Sequence, residues 1–387
     1  MPVLEELVPL LCAMIRIDSR NTLPLDAPGE RIANEEDMGN FVTERLTALG
    51  FAVEKQYIAP LRPNVIGSYH AGDGCPTLVL NAHLDTVGSD GMTIPPLDPQ
   101  IRDQRIYGRG ACDTKGSLAA MLKACERMIA DKLPLNLIYL ATSAEETSCQ
   151  GSPFVDLSRW QVDGILVGEP TMNRPVIAHK CHGTLELVCR GRAAHGSRPE
   201  LGDNAIFKMG KLLARLENTV IPELAAITYP GFTNGCTLSV GLIKGGAKSN
   251  IVPDECRITC DIRLVPEAGD PEDIFQRLAD DATAALGFPV EIGHSHSAPA
   301  MQTAPDHPFT QAVLAGVAAA GVDATPLTVT YCTDGGQLSQ KGHPCIVLGP
   351  GDISVAHAAV EYLEIAQLEQ AVDVYVSIGR TMAAGKR

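Results

Sequence analysis

The sequence predicts an α/β protein, with a main domain built on a central, mostly parallel sheet and a smaller α+β insert. Three observations predict it. Residues 77–82, 135–142 and 164–167 are apolar runs without alternation, as expected of strands covered on both faces. Apolar residues at helical spacing fill the stretches between and around these runs. From about residue 177 the pattern changes to a mixed order of strand, helix, two strands, helix and strand, which suggests a ferredoxin-like unit. At 387 residues the chain is too long for one ordinary core. The expected division is residues 1–177 and 298–387 for the main domain and 178–297 for the insert.

Composition narrows the class. With 45% apolar and 20% charged residues the chain is of soluble, globular type. A formal net charge of -15 argues against nucleic acid and anionic membranes as partners. The 4% aromatic content leaves little for base stacking. No apolar run approaches a membrane span. The 12 cysteines contain no CxxC pair and read as reduced thiols. Glu5 and Glu6 stand where a signal peptide needs positive charge, so a cytoplasmic location is expected.

Taken in order, Val3, Leu4, Leu7, Val8, Leu11, Met14 and Ile15 make a first amphipathic helix, bent or started late by Pro9. A Pro- and Gly-containing loop at 22–30 precedes a helix at 34–49 that ends at Gly50. Strands follow at 51–56 and 64–69, and then the buried strand 77–82 that delivers His83 and Asp85. Ligands in open α/β sheets sit beyond the carboxyl ends of the strands, although His-x-Asp alone also fits a plain surface turn. The stretch IYGRGACDTKGS places Asp113 at the mouth of a helix at 118–129, where a simple capping aspartate would serve equally well. Strand 135–142 delivers the adjacent Glu145 and Glu146, whose mutual repulsion a cation would relieve. Strand 164–167 ends at Glu169, and a short strand at 345–348 leads through GPGD to His357. The insert is expected to carry strands at 184–189, 237–243, 254–264 and 290–292 and helices at 205–216 and 272–285. A further helix at 308–320 returns the chain to α/β character.

His83, His357, Asp113, Glu146 and Glu169 are thus five candidate ligands near one edge of one sheet. Nitrogen and oxygen donors without thiolate suit zinc, with cobalt or manganese as alternatives. Five exceed the needs of one catalytic zinc. Two metals, each with one histidine and one terminal carboxylate and with Asp113 shared, use all five and hold an activated water between them. Glu145 is then the general base, and Asp85 orients His83 by accepting a hydrogen bond from its free nitrogen. The reaction class is metal-assisted hydrolysis of a carbonyl compound. Cys112 as a nucleophile is the rival, but no paired histidine is apparent near it.

The set His83-x-Asp85, GRGACDTKG, Glu145-Glu146, GEP at Glu169, GRAAHGSRP around His195 and GPGDISVAH resembles the family of acetylornithine deacetylase, succinyl-diaminopimelate desuccinylase, aminoacylase and glutamate carboxypeptidase. The motifs run in family order over nearly the whole chain. The resemblance implies a two-zinc amidohydrolase, with His83, Asp113 and Glu169 on one zinc and Asp113, Glu146 and His357 on the other. It implies Glu145 as base and then acid, a cis peptide after Asp113, and an insert that acts as lid and homodimerisation domain. It further implies that His195 stabilises the oxyanion in the partner's site and that Asn250 and Arg263 bind a substrate carboxylate. The substrate is then a small N-acyl amino acid or a short peptide, by deacylation or by metallocarboxypeptidase or dipeptidase action. A non-catalytic binding protein on this fold would be expected to lack Glu145 or a ligand. Two departures are visible: where relatives often carry Asp-Glu beyond the last histidine, this chain has Val360-Glu361, and its pocket stretch 331–337 reads YCTDGGQ, a variant that identifies no substrate.

Overall fold

The computed structural model describes residues 6–21, 35–147 and 149–385. The expected start of the first helix at Val3 and Leu4, the loop at 22–30 and the helix start at Asn34 lie outside them. Two compact units emerge. One comprises 1–178, 301–327 and 333–387, and the other 179–300 and 328–332.

The first unit is built on β1 (Ala52–Ala59), β2 (Arg62–Tyr69), β3 (Thr77–His83), a small hairpin β4 (Gln100–Arg102) and β5 (Arg105–Tyr107), then β6 (Asn136–Thr142), β7 (Gly164–Val167) and β8 (Val176–His179). Along the central sheet the order is β1-β2-β6-β3-β7-β15-β8-β13, with β13 at Met301–Gln302 and β15 at Cys345–Val347; β14 (Leu327–Val329) pairs β8. The sheet is mixed rather than mostly parallel. β6, β3, β7 and β15 run parallel in its middle, whereas β1-β2, β2-β6 and β15-β8 are antiparallel. Two strands joined by a two-residue connection, as β1 and β2 are, must run antiparallel.

β3 is buried at every residue and β6 at all but its first. The helices Leu7–Arg16, Lys115–Ala130, Pro308–Ala319 and Ile365–Gly385 share one apolar cluster with these strands. Because the four central strands are parallel, their carboxyl ends open on the same edge. β3 and β6 are in register to His83 and Thr142, and β7 aligns Val167 with Asn81 of β3 and with Val347 of β15.

The second unit follows a βαββαβ order: β9 (His182–Arg190), helix Ala205–Arg215, β10 (Thr237–Gly245), β11 (Glu255–Arg263), helix Pro271–Leu286 and β12 (Val290–Ala298). Its antiparallel sheet runs β10-β11-β9-β12. Burial alternates residue by residue along β11, so one face carries the core and the other does not. The unit also takes in the returning stretch 328–332, which a single unbroken insertion did not anticipate.

Candidate metal centre

β3 ends at His83, whose side chain is 1% exposed. The Leu84 amide donates to the Thr142 carbonyl at 2.7 Å, which extends the β3–β6 ladder and sets loop 84–87 beside loop 143–146. His83 Nδ1 donates to the main-chain carbonyl of Asp85 at 2.8 Å. The expected partner, the Asp85 carboxylate, stands at 3.6 Å. It instead accepts from the amides of Glu145 and Glu146, each at 3.2 Å, and from Asn21 Nδ2 at 3.0 Å. Asp85 therefore orients the imidazole through its backbone and grips the base-bearing loop through its side chain. With Nδ1 committed, Nε2 is the nitrogen aimed into the site. It lies 3.1 Å from Asp113 Oδ1 and 3.9 Å from Glu169 Oε1.

Asp113 does not cap the helix that follows. Thr114 holds the capping position, without a side-chain cap, and the Asp113–Thr114 peptide is cis. The Asp113 carboxylate instead divides its oxygens, Oδ1 toward His83 and Oδ2 toward His357 Nε2 at 3.1 Å. Burial alone would push this carboxyl up; the hydrogen bonds from His357 and His83 outweigh it and hold it below the usual range.

Glu145 and Glu146 follow Ala144, whose φ of 63° turns the chain sharply. The Ala144 amide donates to Glu35, itself held by the buried Arg62. Glu146 Oε1 accepts from the Val87 amide at 3.0 Å, while Oε2 lies 3.0 Å from His357 Nε2. Glu145 accepts from the Cys149 thiol. Burial pushes its carboxyl well up; the positive charge of His83 opposes this, and Glu169, Asp334 and Glu146 add to it. A raised carboxyl is a stronger proton acceptor than an ordinary one.

His357 sits on a turn with φ 59° and a side chain 52% exposed. Hydrogen bonds to Asp113 and Glu146 raise its ring to about 10 against the opposing effect of burial. Around the two imidazoles stand four carboxylates, Asp113, Glu145, Glu146 and Glu169. Single donor atoms of His83, Asp113 and Glu146 lie within 4.8 Å of one another, close enough for one ion. A cluster of mostly buried oxygen and imidazole donors, carrying more negative than positive charge and no thiolate, fits divalent zinc or a similar cation. The Cys112 thiol points to the Asp352 carbonyl, and burial pushes it well above its ordinary value, so it is no nucleophile.

Two acidic groups escaped the sequence reading. Asp334, in the stretch YCTDGGQ, is buried, and one of its oxygens accepts from Thr142 at 2.5 Å. Glu361, which keeps the glutamate of the family's Asp-Glu pair beside the differing Val360, is fully buried and binds the Asp113 loop. An acidic residue four positions beyond a candidate ligand was the available signal.

In the second unit, His195 is exposed, its Nδ1 2.8 Å from Ser197 Oγ, and it forms an isolated antiparallel bridge with Ile251. The Gly196 amide donates to the Asn250 carbonyl, so His195 and Asn250 share one small exposed element. Arg263 is engaged through two nitrogens by Asp261, both at 2.9 Å.

The model of Peptidase family M20/M25/M40 matches residues 79–380. Acetylornithine deacetylase of Myxococcus xanthus is 32% identical over 344 residues, covering 85% of this chain and 87% of its own. That of Klebsiella pneumoniae is 32% identical over 348 residues, with 86% and 87% covered. Among solved structures, a tripeptidase from Staphylococcus aureus superposes with a TM-score of 0.79 at 20% identity over 98% of this chain and 99% of that one. An M20 family metallo-carboxypeptidase from Sulfolobus solfataricus gives 0.78, also at 20% identity and with the same coverage. Those two establish likeness of fold. With the family match spanning most of the sequence, this chain belongs to Peptidase family M20/M25/M40 and is a metal-dependent hydrolase.

Proposed function

We propose that the chain is a two-metal deacylase that cleaves the amide bond of a small N-acyl amino acid. The observation that carries this reading is the Asp113 carboxylate, whose separate oxygens meet His83 and His357 at 3.1 Å each, with the raised carboxyl of Glu145 on the neighbouring loop. His83, Asp113 and Glu169 would hold one ion, and Asp113, Glu146 and His357 the other. Zinc is the first choice, with cobalt or manganese as alternatives. Such a pair supplies Lewis acidity and lowers the pKa of water. Glu145 then takes a proton from the attacking water and delivers it to the leaving nitrogen. Loss of the amide nitrogen as a free amine leaves the acyl group as its carboxylate.

In this reading the 179–300 segment serves as lid and dimerisation element of a homodimer. The edge strand β10 supports it by exposing Leu242 and Ile243, and Phe207 on the neighbouring helix is 73% exposed. His195 would stabilise the oxyanion in the partner's site. Asn250 and Arg263 would receive the substrate carboxylate, Arg263 through the nitrogen that Asp261 leaves uncommitted. The acetylornithine deacetylase relatives favour an acyl amino acid as substrate and a cytoplasmic enzyme of small-molecule metabolism. A second reading, release of a C-terminal residue such as glutamate, fits the same family match.

The test is a rate comparison on N-acetylornithine, succinyl-diaminopimelate and an acyl- or folyl-glutamate, with zinc and with cobalt. Highest kcat/KM on N-acetylornithine is expected. Preference for the glutamate conjugate would select the carboxypeptidase reading, and no hydrolysis of any of the three would overturn both.

A further inference from the structure

The Glu361 side chain has no place in the ligand set, yet it is among the most fully engaged polar groups of the first unit. Its carboxylate is completely buried. Oε2 accepts from Arg109 Nη1 at 2.7 Å and from the Gly110 amide at 3.0 Å. Oε1 accepts from the amides of Cys112 at 2.9 Å and Asp113 at 3.0 Å. Four donors on two oxygens form an anion-binding cradle made largely of main chain, as successive amides do in a backbone nest. Gly110, at φ 79°, bends the loop so that these amides converge, and a Cβ there would meet Thr86 at 2.7 Å.

The position of Glu361 in the chain gives the cradle its meaning. Four residues earlier stands His357, and directly after it β16 (Tyr362–Glu364) pairs with β5. The Gly108 amide donates to the Glu361 carbonyl, so the main chain already joins the two segments at residue 108. Beyond that point the Glu361 side chain carries the link on to the amides of Gly110, Cys112 and Asp113. One end of this strut is thus the backbone of the shared carboxylate, and the other is the segment that presents His357.

We propose that Glu361 is a positioning residue for the metal centre: its carboxylate sets the main chain of Cys112 and Asp113 and couples it to the turn bearing His357, so that both imidazoles meet Asp113 before any ion arrives. This rests on the two-metal reading above. Partners outside the ligand set that orient ligands are commonly worth roughly 10–100-fold in metal affinity. A glutamine at this position would turn an amide N–H₂ against backbone donors and leave at least one of them unpaired.

The experiment is zinc binding to metal-stripped, full-length protein, measured by chelator competition. It compares wild type, Glu361→Gln, Glu361→Asp and Glu364→Ala. The last removes an exposed ion pair with Arg105 on the same β5–β16 pairing and touches no amide of the loop. Glu361→Gln and Glu361→Asp should bind zinc roughly 10–100-fold more weakly, with a changed cobalt absorption spectrum, and Glu364→Ala should match wild type. If Glu361→Gln does not fold, Glu361→Asp decides, because it keeps the charge and shortens the reach. Wild-type affinity in a folded Glu361 variant overturns the proposal, as does weakening of Glu364→Ala to the same degree. Failure of both Glu361 variants to fold also overturns it, by making the residue one of general stability. A wild type that binds no zinc would defeat the two-metal reading instead.

Discussion

The two histidines of the metal centre are built differently. His83 ends a strand buried at every residue, is itself 1% exposed, and has its far nitrogen fixed by a backbone carbonyl. His357 stands on a turn at positive φ with half its side chain in solvent. Their near nitrogens nonetheless meet Asp113 at the same 3.1 Å. Equal geometry is thus reached by two routes. On one side the sheet supplies it outright. On the other it depends on the turn and on whatever ties that turn to the Asp113 loop. The ligands are therefore not interchangeable, and the difference is measurable.

The largest effect should come from the group both sides share. Asp113→Asn keeps the shape but gives up the charge that faces both imidazoles. Metal-assisted polarisation is worth several kcal/mol, and each 1.36 kcal/mol is tenfold in rate. A fall in kcat/KM of roughly 10³-fold or more is expected, with weakened binding of the ions. If Asp113→Asn retained both ions and most of its activity, the two sides would have to be independent sites.

The contrast between the histidines also explains what was legible in the sequence. His83, Glu146 and Glu169 could be found because each follows an unalternating apolar run, and strand ends on one edge of a parallel sheet converge. His357 follows a strand of only three residues, Cys345–Val347, and needed its GPGD context. Asp85 lies beside His83, but its carboxylate holds the 145–146 amides rather than the imidazole. The i, i+2 spacing invites a side-chain contact, whereas the 145–146 amides it holds are about 60 positions away in the chain. Glu361 lies about 250 positions from the amides it binds; its place four residues past His357 marks it as an acidic neighbour of a ligand but does not reveal which amides it holds. Strand direction was likewise hidden, since burial on both faces looks the same in parallel and antiparallel strands.

A second prediction separates the histidines by stability. In metal-free protein burial pulls the His83 ring down, but the negative charges of Glu169, Asp113 and Glu145 outweigh it and raise the ring well above its ordinary value. His83→Ala would leave buried carboxylates without their cation, a change that typically costs about 3–5 kcal/mol. The corresponding loss at the half-exposed His357 should be about 1 kcal/mol or less. Thermal unfolding of the two metal-stripped alanine variants should show a clearly lower Tm for His83→Ala. Equal losses would mean that the buried side is no more prepared than the exposed one.

The smallest effect is a pH dependence that the metal should abolish. His357 is raised to about 10 in the fold, above an unfolded value near 6.5. A base with a raised folded pKa gives stability that is complete below the unfolded value and is lost as pH climbs through the folded one. Metal-free protein should therefore lose this contribution between about pH 6.5 and 10. Lys115 works the other way. Burial lowers it to about 7, so its contribution grows as pH rises from there toward 10.5. That contribution is present with or without metal and cancels in a comparison of the two forms. A neutral, metal-held imidazole has no proton to lose, and protons no longer compete with the ion at higher pH. The gap in Tm between zinc-loaded and metal-stripped protein should accordingly widen from pH 6.5 to 9.5. His357→Ala should flatten much of that widening, and His83, shielded in the core, should account for the part that persists. A gap that stays constant with pH in the wild type would show that His357 gives up no proton to the metal, and would remove it from the ligand set.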